Sequence, residues 1–161
     1  MKEITKDYLL NHKFDKTGIE PEEKEHRMSS GRFAVTMLST LPMPDRDKLV
    51  ELNILVSDLI HQRCETSASL EYKTNIKPNT LRRILNLRDK RNFTREMLAK
   101  FVVGMQLTVE EANELFSLQG FPLMADKVLL DAVVIHCLTN HYDIDEFFET
   151  CKQVGLDIVP A

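Results

Sequence analysis

Ser67-Ala68-Ser69-Leu70-Glu71-Tyr72-Lys73-Thr74-Asn75-Ile76-Lys77-Pro78-Asn79-Thr80-Leu81-Arg82-Arg83-Ile84-Leu85 is the stretch that decides how this chain folds. Its first half reads as a short helix ending at Asn75, a residue that tolerates the left-handed conformation a tight turn needs. Lys77 leads into a second short helix. Pro78 suits the first position of that helix, where its missing N–H is not required. Leu81, Ile84 and Leu85 fall on one face, and Asn79, Arg82 and Arg83 on the other. Two short helices joined by a turn, the second apolar inward and basic outward, is an arrangement that can deliver side chains into a major groove.

The flanking sequence predicts further helices. Upstream, Asp45 can cap a helix whose apolar residues Leu49, Leu52, Leu55, Val56, Leu59 and Ile60 keep a three-and-four rhythm to about Cys64. Before it, Phe33, Ala34, Met37 and Leu38 predict a short packing helix within 31–41, stopped by Pro42 and Pro44. Residues 1–32 are charge-dense with little periodic apolar content, and are expected to be a mobile or loosely docked arm.

Downstream, helices are expected from Thr94 to Leu107 and from Thr108 to Gln119. Thr108-Val109-Glu110-Glu111 has the form of a capping box, and Gly120 with Pro122 marks a stop. The run from Val128 to Leu138 is apolar nearly all round, so it must be buried on several sides or pair with another chain. Asp143-Ile144-Asp145-Glu146 starts a last helix through Phe147, Phe148 and Cys151, ending near Gly155. The expected fold class is all-α. It comprises an arm and short helix (1–44), a five-helix domain (45–120) and two additional C-terminal helices (121–161) for packing or dimerisation.

The run Leu70 to Leu85, continued by Asn92-Phe93-Thr94-Arg95-Glu96-Met97-Leu98-Ala99-Lys100 and Val103-Gly104-Met105-Gln106-Leu107-Thr108, resembles the Xre or phage lambda repressor-like helix-turn-helix family over roughly residues 45–119. Asn75 stands where that family usually has glycine. A longer basic loop, Asn86-Leu87-Arg88-Asp89-Lys90-Arg91, replaces its usual Gly-Lys. The resemblance implies a sequence-specific DNA-binding regulator, a repressor of a bacterial or phage operon. It places the base-contacting positions on Lys77, Pro78, Asn79 and Arg83, and backbone contacts on Ser67 and Thr80. Arg82 and the loop residues Arg88, Lys90 and Arg91 join the backbone group as phosphate-directed cations. Arg83 suits a guanine edge and Asn79 an adenine edge, whereas Pro78 can make only apolar contact. The segment from Leu115 to Leu123, with Asp131, Tyr142-Asp143 and Glu146, also resembles a helical tail found behind similar domains in bacterial proteins, some of which carry an enzymatic domain upstream. The 44 residues before position 45 are too few for such a domain, so the tail is expected to serve packing, dimerisation or partner binding.

Charge is distributed to match. The net charge is −4. Residues 73–101 nevertheless hold 9 Lys/Arg against 2 Asp/Glu, a balance of +7, while residues 102–161 hold 2 against 10, a balance of −8. A basic block of this kind supplies phosphate attraction and counterion release. The hydrophobic fraction of 43% and charged fraction of 29% are those of an ordinary globular chain. No apolar run reaches the roughly 18 residues that span a bilayer, and the charged start MKEITKDYLL lacks the form of a signal peptide, so a cytoplasmic protein with no membrane partner is expected.

Cys64, Cys137 and Cys151 are odd in number and widely spaced, which disfavours a disulfide framework. The best metal candidates, His136, Cys137, His141 and Cys151, have poor spacing for a shared ion. No nucleotide-cradling or metalloprotease motif occurs, so no catalytic residue, metal or cofactor is expected and the chain is read as a non-enzyme. The expected partners are double-stranded DNA and a second copy of the chain, because one short helix reads too few bases for tight specific binding. A protein partner on the acidic tail is a further expectation. The alternative is a protein-binding adaptor or inhibitor on the same scaffold, using that tail, the arm and the apolar helix at 128–138.

Overall fold

A helix that ends in a left-handed residue can hand the chain directly to the next helix, and this chain does so at four places among the described residues, three of them corners of one form. The structure, a computed structural model, describes residues 4–12, 14, 46–86, 92–158 and 160. Among these it has eight helices and no strand: α1 (Lys6–Asn11), α2 (Arg46–Gln62), α3 (Ser67–Thr74), α4 (Pro78–Leu85), α5 (Arg95–Gly104), α6 (Val109–Gln119), α7 (Leu129–Thr139) and α8 (Ile144–Val154). The all-α class expected from periodicity is the one observed. The expected packing helix within 31–41 lies outside the described residues.

The corners lie between α2 and α3, α5 and α6, and α7 and α8. Each passes through a non-glycine residue of positive φ: Cys64 (54°), Gln106 (52°) and His141 (57°). Two residues later comes an N-cap, Thr66, Thr108 or Asp143, whose side chain accepts the N–H of Ser69, Glu111 or Glu146 in a reciprocal capping box. Between cap and corner the backbone bonds repeat: Glu65 N donates to Ile60 O, Leu107 N to Val102 O, and Tyr142 N to Cys137 O. The second and third corners stand 35 residues apart, so α5–α6 and α7–α8 are helical hairpins closed by the same form of corner.

The centre of the molecule is α5, whose Leu98, Ala99, Phe101, Val102 and Val103 are all buried. It packs against α3, α6, α7 and α8, while α2 packs on α6 and α4 rests on α2 and α3. Gly104 lets the end of α5 touch the backbone of α3: a Cβ there would sit 2.2 Å from the Lys73 carbonyl oxygen. Along α7 every residue from Leu130 to Leu138 is buried. Contacts with α1, α5, α6 and α8 supply that burial, so its apolar circumference needs no second chain. The hydrophobic core is continuous from Ile4 to Ile158 and crosses residue 120 without interruption.

The start of the chain departs from the expected loose arm. Ile4 and Leu9 are buried, and α1 lies on α7. His136 Nδ1 lies 2.7 Å from Ile4 O and His12 Nε2 lies 3.0 Å from Asp126 O, while the Tyr8 hydroxyl donates to Ala125 O at 3.1 Å. Six helical residues are too few for periodicity to show, and the partners lie more than 110 residues away, so no local pattern announces the docking.

Arg95, at the first position of α5, joins this core to the loop before α7. Its Nε lies 3.0 Å from Asp131 Oδ1 and its Nη2 lies 2.6 Å from Oδ2. Nη1 donates to Phe121 O at 2.9 Å and Nη2 to Pro122 O at 3.2 Å, with the guanidinium 3.5 Å from the centre of the Phe121 ring. Asp131 is 0% exposed and also accepts the Met124 N–H at 2.8 Å. Either substitution alone, Arg95→Met or Asp131→Leu, strands a buried charge and is expected to lower the unfolding free energy by about 3–5 kcal/mol in urea denaturation. The double substitution should cost less than the sum of the two.

The thiols separate by burial. Cys64 is exposed at its corner, whereas Cys137 and Cys151 are buried on α7 and α8. Burial, with the nearby Cys151 sulfur, pushes the Cys137 thiol up to about 12; burial and the Glu96 carboxylate push Cys151 to about 12 as well. Alkylation at pH 8 followed by mass spectrometry is expected to label Cys64 in the native protein and the other two only in denaturant.

Candidate nucleic-acid interface

The α3–α4 segment is built from the turn outward. Asn75 adopts the left-handed conformation (φ 57°, ψ 27°) and its N–H returns to Glu71 O, which ends α3. The Thr74 hydroxyl donates to Leu70 O at 2.7 Å and accepts the Ile76 N–H at 3.2 Å, so the buried polar groups of the turn pair locally. Ile76 is buried and Lys77 is extended, serving as N-cap to α4 without a side-chain bond; Pro78 occupies the first turn, as its ring geometry favours.

Helix α4 is strongly two-faced. Leu81 and Ile84 are buried and Leu85 half-buried, whereas Lys77, Pro78, Asn79, Arg82 and Arg83 are all exposed and Thr80 half-buried. No acidic residue lies in α4. Arg82 Nη2 donates to Asn79 Oδ1 at 3.0 Å, one turn apart, so Asn79 must release Arg82 before its amide can pair with a base edge in two directions. Ser67, exposed at the first position of α3, shares a groove of about 290 Å³ with Pro78, Asn79 and Arg82, floored by Ile60 and Leu85. The groove brings together Ser67, Pro78, Asn79 and Arg82; Lys77, Thr80 and Arg83 do not line it, and Arg88, Lys90 and Arg91 lie outside the described residues.

Local patterns did not reveal a second set of residues here. Glu65, whose side chain is almost fully covered, accepts Ser69 Oγ at 2.7 Å and Lys73 Nζ at 2.6 Å. Lys73 is therefore already engaged by an anion, despite belonging to the basic block. Lys100 of α5 donates to Asn75 O at 3.1 Å and Asn53 of α2 to Ile84 O at 3.0 Å. Their signal is three-dimensional, since 25 and 31 residues separate donor and acceptor.

The four metal candidates do not converge. His136 Nδ1 faces Ile4 O, His141 is exposed at its corner, and both thiols are buried. Among the described residues no group of three His, Cys, Asp or Glu side chains could hold a metal ion. No helix among them is long and apolar enough to cross a membrane. Comparison of the chain with protein-family models, with curated proteins and with solved structures returns no match.

The Lys73 ammonium, then the Ser69 hydroxyl, hold the Glu65 carboxyl below the ordinary carboxylate range. A carboxylate depressed on folding adds stability above its unfolded pKa, and that stability is lost as pH falls through the lower, folded value. Glu65→Gln is therefore expected to melt below wild type at pH 7, with the difference closing at pH values under about 4.5. Thermal melts across that range would show it.

Proposed function

We propose that this chain is a sequence-specific DNA-binding transcriptional regulator, a repressor, in which α2–α6 form a lambda repressor-like helix-turn-helix domain with α4 as its recognition helix. The carrying observation is the two-faced α4, buried along Leu81 and Ile84 and exposed along Lys77, Pro78, Asn79, Arg82 and Arg83, within the strongly basic stretch of residues 73–101. In this reading Lys77, Asn79 and Arg83 meet base edges and Pro78 a thymine methyl. Ser67, Thr80, Arg82, Arg88, Lys90 and Arg91 hold phosphates and so fix the register. The role is non-catalytic and cytoplasmic, and a homodimer doubles the number of bases read.

A second reading, a protein-binding adaptor, is favoured by one feature of α8. A cavity of about 640 Å³ there is lined by Phe148, Leu156, Ile158 and Pro160, with Asp145, Glu149 and Asp157 outnumbering Lys152 beside them. Under that reading the acidic C-terminal surface takes a protein partner and α4 is only a solvated face.

Selection of bound duplexes from a random pool, followed by salt titration on the recovered site, separates the two. DNA binding predicts log affinity falling linearly with log salt, and a loss of about 1–3 kcal/mol for Arg83→Ala and again for Asn79→Ala. A recovered motif with two-fold symmetry fits the dimer. Binding indifferent to salt and to both substitutions would overturn the DNA reading.

A further inference from the structure

We infer that Lys100 and Asn53, which belong to neither α3 nor α4, are positioning residues that set the pose of the recognition helix by bonding one carbonyl in the turn that leads into it and one in its last turn. The functional consequence rests on the DNA-binding reading; the geometry does not.

Helix α4 has eight residues, a length that does not hold helical structure alone in water. Only Leu81 and Ile84 of it are fully buried, its N-cap makes no side-chain bond, and it rests on α2 and α3. Two apolar side chains, three apart, fix which face points inward but leave the helix free to tilt about that line. The polar bonds act where this freedom is greatest. At the far end the buried Asn53 amide donates to Ile84 O, one of the last-turn carbonyls that have no partner inside the helix. At the near end Lys100 Nζ donates to Asn75 O in the turn that aims α4.

Lys100 is well suited to this place. It extends from α5, the central helix, and Gly104 lies one helical turn further along the same side, where its bare Cα admits the Lys73 and Thr74 backbone. The end of α3 is thus held to α5 at two levels, by close backbone contact and by a charged hydrogen bond. The ammonium also stands at the C-terminus of α3, where the helix dipole favours a cation. Burial lowers the proton affinity of Lys100, and the Glu96 carboxylate partly offsets this. Removing the ammonium leaves the Asn75 carbonyl without this donor, and the turn gains room to relax.

Lys100→Met keeps the stem and loses the donor; Lys100→Arg keeps a donor. Amide hydrogen exchange on the full-length free protein is the first measurement. Lys100→Met is expected to speed exchange at Ile76 and along Leu81–Leu85 about tenfold, the order expected when a charged donor is lost, with α7 unchanged and Lys100→Arg restoring protection. Asn53→Leu, acting from the opposite end, should speed exchange over the same α4 amides. The second measurement is the ratio of affinity for the selected duplex to that for random duplex. It should fall about tenfold in Lys100→Met through the specific duplex alone, since phosphate attraction does not depend on helix pose. Unchanged α4 exchange in both Lys100→Met and Asn53→Leu, or an equal rise throughout the molecule in both, would overturn the inference. A wild-type chain that binds no duplex would instead sink the DNA reading, leaving the exchange data to judge the pose.

Discussion

The pairing of Arg95 with Asp131 is the constraint on which the arrangement of this molecule depends. A carboxylate with no solvent exposure persists only if its acceptors are filled, and those of Asp131 are met by the guanidinium and by the Met124 N–H. Arg95 in turn spends its remaining donors on the Phe121 and Pro122 carbonyls and on Gln119, with Phe116 and Phe121 against its plane. One side chain thereby fixes the start of α5, the end of α6, the loop after it and the start of α7. The same point lies just past the basic stretch of residues 86–91, and Gln119 Nε2 holds the Phe93 carbonyl beside it at 3.2 Å. The C-terminal helices are therefore part of the frame that carries α3 and α4.

Around this clasp the fold grows by repetition. The corner that closes α5 onto α6 recurs between α7 and α8, with a left-handed residue at the same position, the same cap spacing and a glutamate closing each box. Stacking two such hairpins lets α5 and α7 bury each other, which is why α7 can be apolar on all sides. The corner between α2 and α3 follows the same rule with Ser69 in the place of glutamate. There the neighbouring Glu65 supplies the charge and draws Lys73 to it.

Electrostatics around α4 follow from what is paired and what is not. Lys73 and Lys100 belong to the basic block by sequence but are committed to Glu65 and to the Asn75 carbonyl. Arg95 is committed to Asp131. The cations of the described part of the block that remain directed outward are Lys77, Arg82 and Arg83, all carried by α4 or its cap. Among the described residues, tertiary structure has narrowed the outward cations of this stretch to those on α4 and its cap.

Much of this was legible in the chain alone. Pro78 at a first turn, Asn75 at a left-handed turn, the Thr108 and Asp143 boxes and the three-and-four spacing of α2 are local rules, enforced by sterics and by backbone bonds within a few residues. They determined the all-α class, the boundaries of α2 to α8 to within about three residues and the exposed side of α4. The docking of α1, the engagement of Lys73, Lys100 and Arg95, and the burial of α7 by this chain's own helices were decided only by the tertiary structure. Each depends on atoms distant in sequence or on whether a charge finds its partner, and a side chain's type states what it can bond to without stating what will stand beside it.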